Sequence, residues 1–146
     1  MVRIHSLAPV VLVLSVAGSA QAASDSADLF GRGYVSKAVL KDGVRHPLFE
    51  GTNIRVDFDH RAEYDSVGWR ADCNFFGARV DVTEERLLVG QIAGTEMGCA
   101  KPQNRQDRWM LRFFASDPKW RIRRDETLKL TAGDRVIRLI SRRPDR

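Results

Sequence analysis

Two stretches near the middle of the chain decide how the rest is read: Asp72-Cys73-Asn74-Phe75-Phe76-Gly77, and then Thr95-Glu96-Met97-Gly98-Cys99. Together they use both cysteines of a 146-residue sequence. Asn and Gly tolerate tight backbone, and a Thr hydroxyl bonds nearby backbone groups. The pair therefore reads as a staple plus two specified turns, not as a reaction centre.

Outward from this pair the pattern is mostly of period two. Ile54, Val56 and Phe58 alternate with Arg55, Asp57 and Asp59, the mark of a half-buried strand. Residues 34–40 form a first strand that ends at the Asp42-Gly43 turn signal. Ala78, Val80 and Val82 continue the alternation after Gly77, Leu87-Leu88-Val89 adds a short apolar run, and Trp120/Ile122, Leu128/Leu130 and residues 136–140 supply the last strands. A single helix is expected over residues 103–115. Trp109, Met110, Phe113 and Phe114 fall on one stripe, Arg105, Arg108 and Arg112 lie largely outside it, Pro102 suits its start and Asp117-Pro118 its stop. The class is α+β: a strongly bent, mostly antiparallel sheet or open barrel of about six to eight strands, with one amphipathic helix packed on it.

The first residues carry a different signal. Arg3 gives a small positive start, residues 7–17 are apolar, and Ala20 and Ala22 make a small-x-small cleavage site. Residues 1–22 are read as a secretory signal peptide too short to span a bilayer as a helix, and residues 23–33 as a flexible lead-in. The domain proper is 34–141, and 142–146 is a basic tail. The formal charge of +5 falls to +4 (5 − 1) with the loss of Arg3. Arg dominates the 24 basic residues, yet acids interleave with them nearly everywhere, as on solvated strand faces. A secreted or periplasmic location changes how the cysteines read. Outside the cytoplasm two cysteines in a small domain point to a Cys73–Cys99 disulfide, closing a loop of roughly 26 residues and contributing about 3–4 kcal/mol at most. Two reduced, packed thiols remain the alternative at this point.

The paired motif resembles the signature of the META domain, or HslJ-like, family. The matching residues are Cys73-Asn74, Gly77, Thr95, Met97, Gly98 and Cys99, followed by the helix around Trp109 and a terminal hairpin from Leu128 to Leu139. Two positions depart from the pattern: Tyr34 stands where the family often has Trp, and Asp72 where it usually has Gly. The resemblance implies a secreted or envelope-associated protein, linked in some bacteria to heat shock and antibiotic tolerance. It implies no established catalysis. The motif residues have structural assignments. Asn74 is expected to adopt a left-handed conformation and bond its own backbone. Gly77 and Gly98 are assigned to close approach or positive φ. Thr95 is to cap the turn before Cys99, and Met97 to fill a core gap.

Chemistry-bearing arrangements are sparse. Outside the leader the histidines are His46 and His60, distant in sequence, and zinc needs three or four N or S ligands. Asp57 and Asp59 share a wet strand face, where no raised carboxyl pKa is expected. No phosphate-cradling glycine loop follows a strand. Trp120 with Arg121, Arg123 and Arg124 could stack and pair with nucleic acid, but the alternation turns Trp120 inward. No catalytic residue, metal, cofactor or nucleic-acid partner is expected. The leading reading is a non-enzymatic domain acting by contact with an envelope protein or with anionic cell-wall or membrane material. The alternative is a small-ligand or lipid-binding open barrel, motivated by Phe49, Phe58, Trp69, Phe75, Phe76, Trp109, Phe113, Phe114 and Trp120.

Overall fold

The alternating segments become strands of one sheet. The computed structural model describes residues 26–48, 51–123 and 125–142. A 3-10 turn at Ser26–Leu29 leads into β1 (Arg32–Lys41), β2 (Val44–Arg45), β3 (Arg55–His60), β4 (Asp65–Arg70), β5 (Phe75–Val82), β6 (Leu87–Val89) and β7 (Ala93–Gly94). Helix α1 (Lys101–Phe114) follows, then β8 (Lys119–Ile122), β9 (Thr127–Ala132) and β10 (Arg135–Arg142). The main path runs β6-β5-β4-β3-β1-β10-β9-β8, with β2 beside β1 and β7 beside β5. Every described pairing is antiparallel.

The two ends of that path nearly meet. Leu87 N donates to Pro118 O at 3.0 Å, Trp120 N donates to Glu85 O at 3.0 Å, and Arg86 and Lys119 form an isolated antiparallel bridge. The sheet is thus an almost closed barrel, which occupies edges that would otherwise offer free pairing groups. Strong bending is visible in β1. Its first half pairs with β3 and its second with β2, while β10 follows it throughout across a bulge between Ser36 and Ala38. An extra residue in one strand bends that strand and increases its twist. The β1–β2 turn places Asp42 at φ 51° and Gly43 at φ 75°, a pair of positive φ values that suits a tight hairpin between twisted strands.

Burial follows the period-two expectation. Ile54, Val56, Phe58, Val67, Trp69, Val80, Leu128, Leu130, Ile137 and Leu139 face inward. Helix α1 adds Met110, Phe113 and Phe114, all fully buried, each worth on the order of 2 kcal/mol of apolar transfer before entropy. The Phe114 ring stacks on Trp69 with centroids 4.1 Å apart, and Trp69 in turn stacks on Phe76 at 6.0 Å. Trp120 points inward, its indole N–H donating to Thr83 O at 2.8 Å.

Several expectations are corrected. Residues 26–33 are not a loose lead-in. Leu29 is buried in the core, Tyr34 Oη donates to Asp28 O at 3.3 Å, and β1 already begins at Arg32. The short apolar spacing there is too sparse to show periodicity. Arg142 belongs to β10, paired with Gly33, not to the basic tail. The helix begins at Lys101, two residues before the expected start, because the Gln103 side chain accepts the Ala100 N–H at 2.9 Å and secures the first turn. Strands β2 and β7 have two residues each and carry no alternation to read. The proposed leader (1–22), residues 23–25, Phe49, Arg124 and residues 143–146 lie outside the described residues.

Candidate functional site

Cys73 and Cys99 are joined by a disulfide, with Cα atoms 6.2 Å apart, a span that the bridge accommodates. No free cysteine is present among the described residues. The bridge ties the corner between β4 and β5 to the segment that precedes α1. Asn104 reinforces the second side, its Nδ2 donating to Cys99 O at 2.9 Å.

Asn74 is the hub of this corner. Its Oδ1 accepts from Thr95 Oγ1 at 3.0 Å and from Met97 N at 2.8 Å. Its Nδ2 donates to Asp107 Oδ2 at 2.9 Å and lies 3.2 Å from Cys99 Sγ. Its backbone N also donates to Asp107 Oδ2, at 3.2 Å. Both Asn74 and Asp107 are buried. A buried amide holds its place only when such groups are paired. Asp107 Oδ1 has no donor among the described residues, so the carboxylate rests on one oxygen.

The motif positions are brought together here, but not in their expected roles. Asn74 does not have positive φ, and its side chain bonds residues 21 to 33 positions away rather than its own backbone. Thr95 does not cap the turn before Cys99. It faces back toward β5, accepting the Phe75 N–H at 3.1 Å while its own backbone N donates to Phe75 O. Met97 does not fill a gap in the core: it is 53% exposed and contributes its backbone N–H. Neither Gly77 nor Gly98 has positive φ, a Cβ on Gly77 would make only ordinary contacts, and one on Gly98 would meet nothing. Close approach is required at Gly94 instead, where a Cβ would sit 2.3 Å from Phe76 Cδ1. Gly77 pairs directly with Gly68, and the ring of Phe75 lies across this pair on the outer face of the sheet. The glycines provide the flat floor for that ring.

Asp107 is the residue that sequence reasoning missed. A signal existed: Asp107, Met110 and Phe114 stand at i, i+3 and i+7 on one helix face. A carboxylate on an apolar stripe needs a buried partner.

The other candidates stay apart. His60 Nδ1 bonds Asp65 Oδ1 at 2.6 Å on the surface, while His46 stacks on Trp109. No group of three or more potential metal ligands occurs among the described residues. The expectation for the Asp57/Asp59 face is corrected. Desolvation raises the Asp57 carboxyl above its ordinary range and the charge of Asp59 adds to this, against Arg142 and Arg55. The cause is local, since Oδ1 is pressed against β1 at Gly33, where a Cβ would come within 2.7 Å.

A groove of about 590 Å³ lies outside the aromatic core, between α1 and the chain that follows β2. Trp109 is half-buried at its floor. His46 stacks on Trp109 with centroids 5.9 Å apart and planes 16° apart, and Trp109 is backed by Phe113 at 5.5 Å. Arg105, Arg108 and Arg112 form the rim, and among the described residues no carboxylate lines the groove. Gln106 Nε2 donates to Thr52 Oγ1 at 3.0 Å and so anchors the helix beside this chain segment. Of the eight described aromatics that motivated a ligand-binding barrel, only Trp109 lines the groove. Phe58, Trp69, Phe76, Phe113, Phe114 and Trp120 fill the core, and Phe75 is exposed. No described helix is long and apolar enough to cross a membrane.

Comparison with known proteins supports this architecture. A family model described as the META domain matches residues 27–143. A structure described as an NMR structure of a protein from Burkholderia xenovorans is similar, with a TM-score of 0.68, 14% identity, and coverage of 98% of this chain and 100% of that one. A second NMR structure has a TM-score of 0.58 and 16% identity, and the alignment covers 78% of this chain and 92% of that one. At these identities the likeness is one of fold. No curated protein matches the chain.

Proposed function

The chain belongs to the META domain family, and on that premise we propose that it is a non-enzymatic, secreted or envelope-associated domain. In this reading it acts by contact with an envelope protein or with anionic cell-wall or membrane material, in stress or antibiotic tolerance. The observation that carries it is the engagement of the motif with itself. Cys73 holds Cys99, and every polar atom of the Asn74 side chain is bonded to Thr95, Met97 or Asp107. These groups serve architecture, which supports reading the motif as a structural corner and not as a reaction centre. The disulfide supports an extracytoplasmic location, because such bonds persist in oxidising compartments. Exposed arginines without acid partners support an anionic counterpart. The three ion pairs among the described residues involve only His60, Arg61 and Arg135 as the basic member.

The test is retention of envelope components on the immobilised protein, with and without reductant, at increasing salt. Contact through exposed arginines should fade as the screening length falls from about 10 Å at 0.1 M salt to about 3 Å at 1 M. Retention of nothing under any condition would remove the reading. The second reading, a small-ligand or lipid-binding barrel, is favoured by one observation, the groove beside Trp109.

A further inference from the structure

We infer that the groove between α1 and the chain after β2 is a binding site for a freely diffusing amphipathic anion, with a flat apolar body and a phosphate or carboxylate head. This rests on the reading above that the chain engages anionic material, and it names the surface and the chemistry.

The floor is built for a flat apolar body. Three rings lie nearly parallel here, His46 with its plane 16° from Trp109 and Phe113 with its plane 18° from it. The His46 backbone is fixed too, its N–H donating to Val39 O at 2.8 Å. A preorganised aromatic face offers stacking area without an ordering penalty on binding. The volume of about 590 Å³ falls in the range of pockets that take drug-sized molecules, roughly 300–1,000 Å³. This favours one small molecule over a folded partner.

The rim selects the charge. Arg105, Arg108 and Arg112 stand at i, i+3 and i+7, so they share one helix face and span about 10 Å along it. All three are exposed, and none has an acid partner among the described residues. The one acid on this part of the helix, Asp107, faces the opposite way and is held by Asn74. Pro102, in the first turn, lines the same groove, and that turn carries no acid, so the positive end of the helix adds to the rim. Guanidinium forks match phosphate and carboxylate geometry. Aromatic floor and cationic rim together specify a ligand that carries both an apolar plane and a negative head.

The experiment titrates the intact protein with 1-naphthyl phosphate and with uncharged 1-naphthol, by calorimetry and by shifts of the Trp109 indole N–H resonance. Parallel arms use vesicles of phosphatidylglycerol and of phosphatidylcholine. The groove variant Arg105→Gln/Arg108→Gln/Arg112→Gln is compared with a charge-matched variant elsewhere, Lys119→Gln/Arg121→Gln/Arg138→Gln. All six side chains are exposed, so both variants should fold, which thermal melts check. The expected result is saturable binding of the phosphate, stronger than of naphthol. The groove variant should weaken it at least about tenfold and the control less than about twofold. Equal binding by the groove variant overturns the site and leaves the broader anionic reading standing. Binding of phosphatidylglycerol vesicles alone overturns the small-molecule occupant in favour of a lipid surface. Binding of no anionic probe at all overturns the site, while the retention experiment on envelope components decides the broader reading separately.

Discussion

Asn74 and Asp107, 33 positions apart, are joined by two hydrogen bonds to a single carboxylate oxygen, one from the Asn74 backbone N–H and one from its side-chain amide. The pair fastens the disulfide corner to the buried face of the helix. It lets a carboxylate stay inside the protein, and it explains why an asparagine follows the first cysteine.

Removal of one partner should therefore cost more than a typical surface change. Asn74→Ala keeps the backbone N–H but strips buried Asp107 of its side-chain donor, and Thr95 and Met97 of their shared acceptor; it is expected to destabilise the fold by about 3 kcal/mol. Asp107→Ala should cost a comparable amount. The double variant should cost clearly less than the two single losses added together, since residues in one network couple. Urea unfolding of the four proteins measures this. Additive losses would show that the two residues act independently.

The disulfide should provide a large share of the stability. Reduction, or Cys73→Ser with Cys99→Ser, is expected to lower the unfolding free energy by up to about 3–4 kcal/mol, out of a usual total of about 5–15 kcal/mol. The midpoint of urea unfolding with and without reductant reads this directly. Alkylation without reductant should add no mass, and alkylation after reduction should add two labels.

Glycine tolerance should run opposite to the motif. Gly94→Ala forces a Cβ into the Phe76 ring and should cost about 1–3 kcal/mol, as overpacking does. Gly98→Ala has open space and ordinary φ, so it should be neutral or stabilising by about 0.4–1 kcal/mol through the unfolded chain. Met97→Ala, on the surface, should stay within about 0.5 kcal/mol. Thermal melts of the three variants would settle the order. A large loss at Gly98 with none at Gly94 would contradict the described packing.

The Asp57 carboxyl predicts a pH dependence with a defined sign. Desolvation above all holds its folded carboxyl pKa above the ordinary carboxylate range. Protonation therefore favours the folded state. This contribution is full below the unfolded pKa and is lost as pH rises through the folded one. Asp57→Asn removes the charged form, so its melting temperature should exceed that of the parent at pH 7. The difference should shrink toward zero near pH 3. Melts across that window check it, and a variant less stable than its parent at pH 7 would be the contrary result.

Much of the architecture is local, and so it was legible before the fold was known. Alternation at Ile54, Val56 and Phe58 reports a pleat whose two faces meet different solvents. The stripe from Trp109 to Phe114 reports a helix with one buried side, and a pair of cysteines in a small domain suggests a covalent staple. Each depends on the spacing of neighbours along the chain. What the Asn74 side chain holds, why Met97 lies outside, where a Cβ is forbidden and how β6 and β8 nearly close the barrel depend on groups many residues apart. The same is true of the groove, where His46 reaches Trp109 from another part of the chain. Those relations are set by the register of the strands and by how the helix lies across them, and chain spacing alone carries neither.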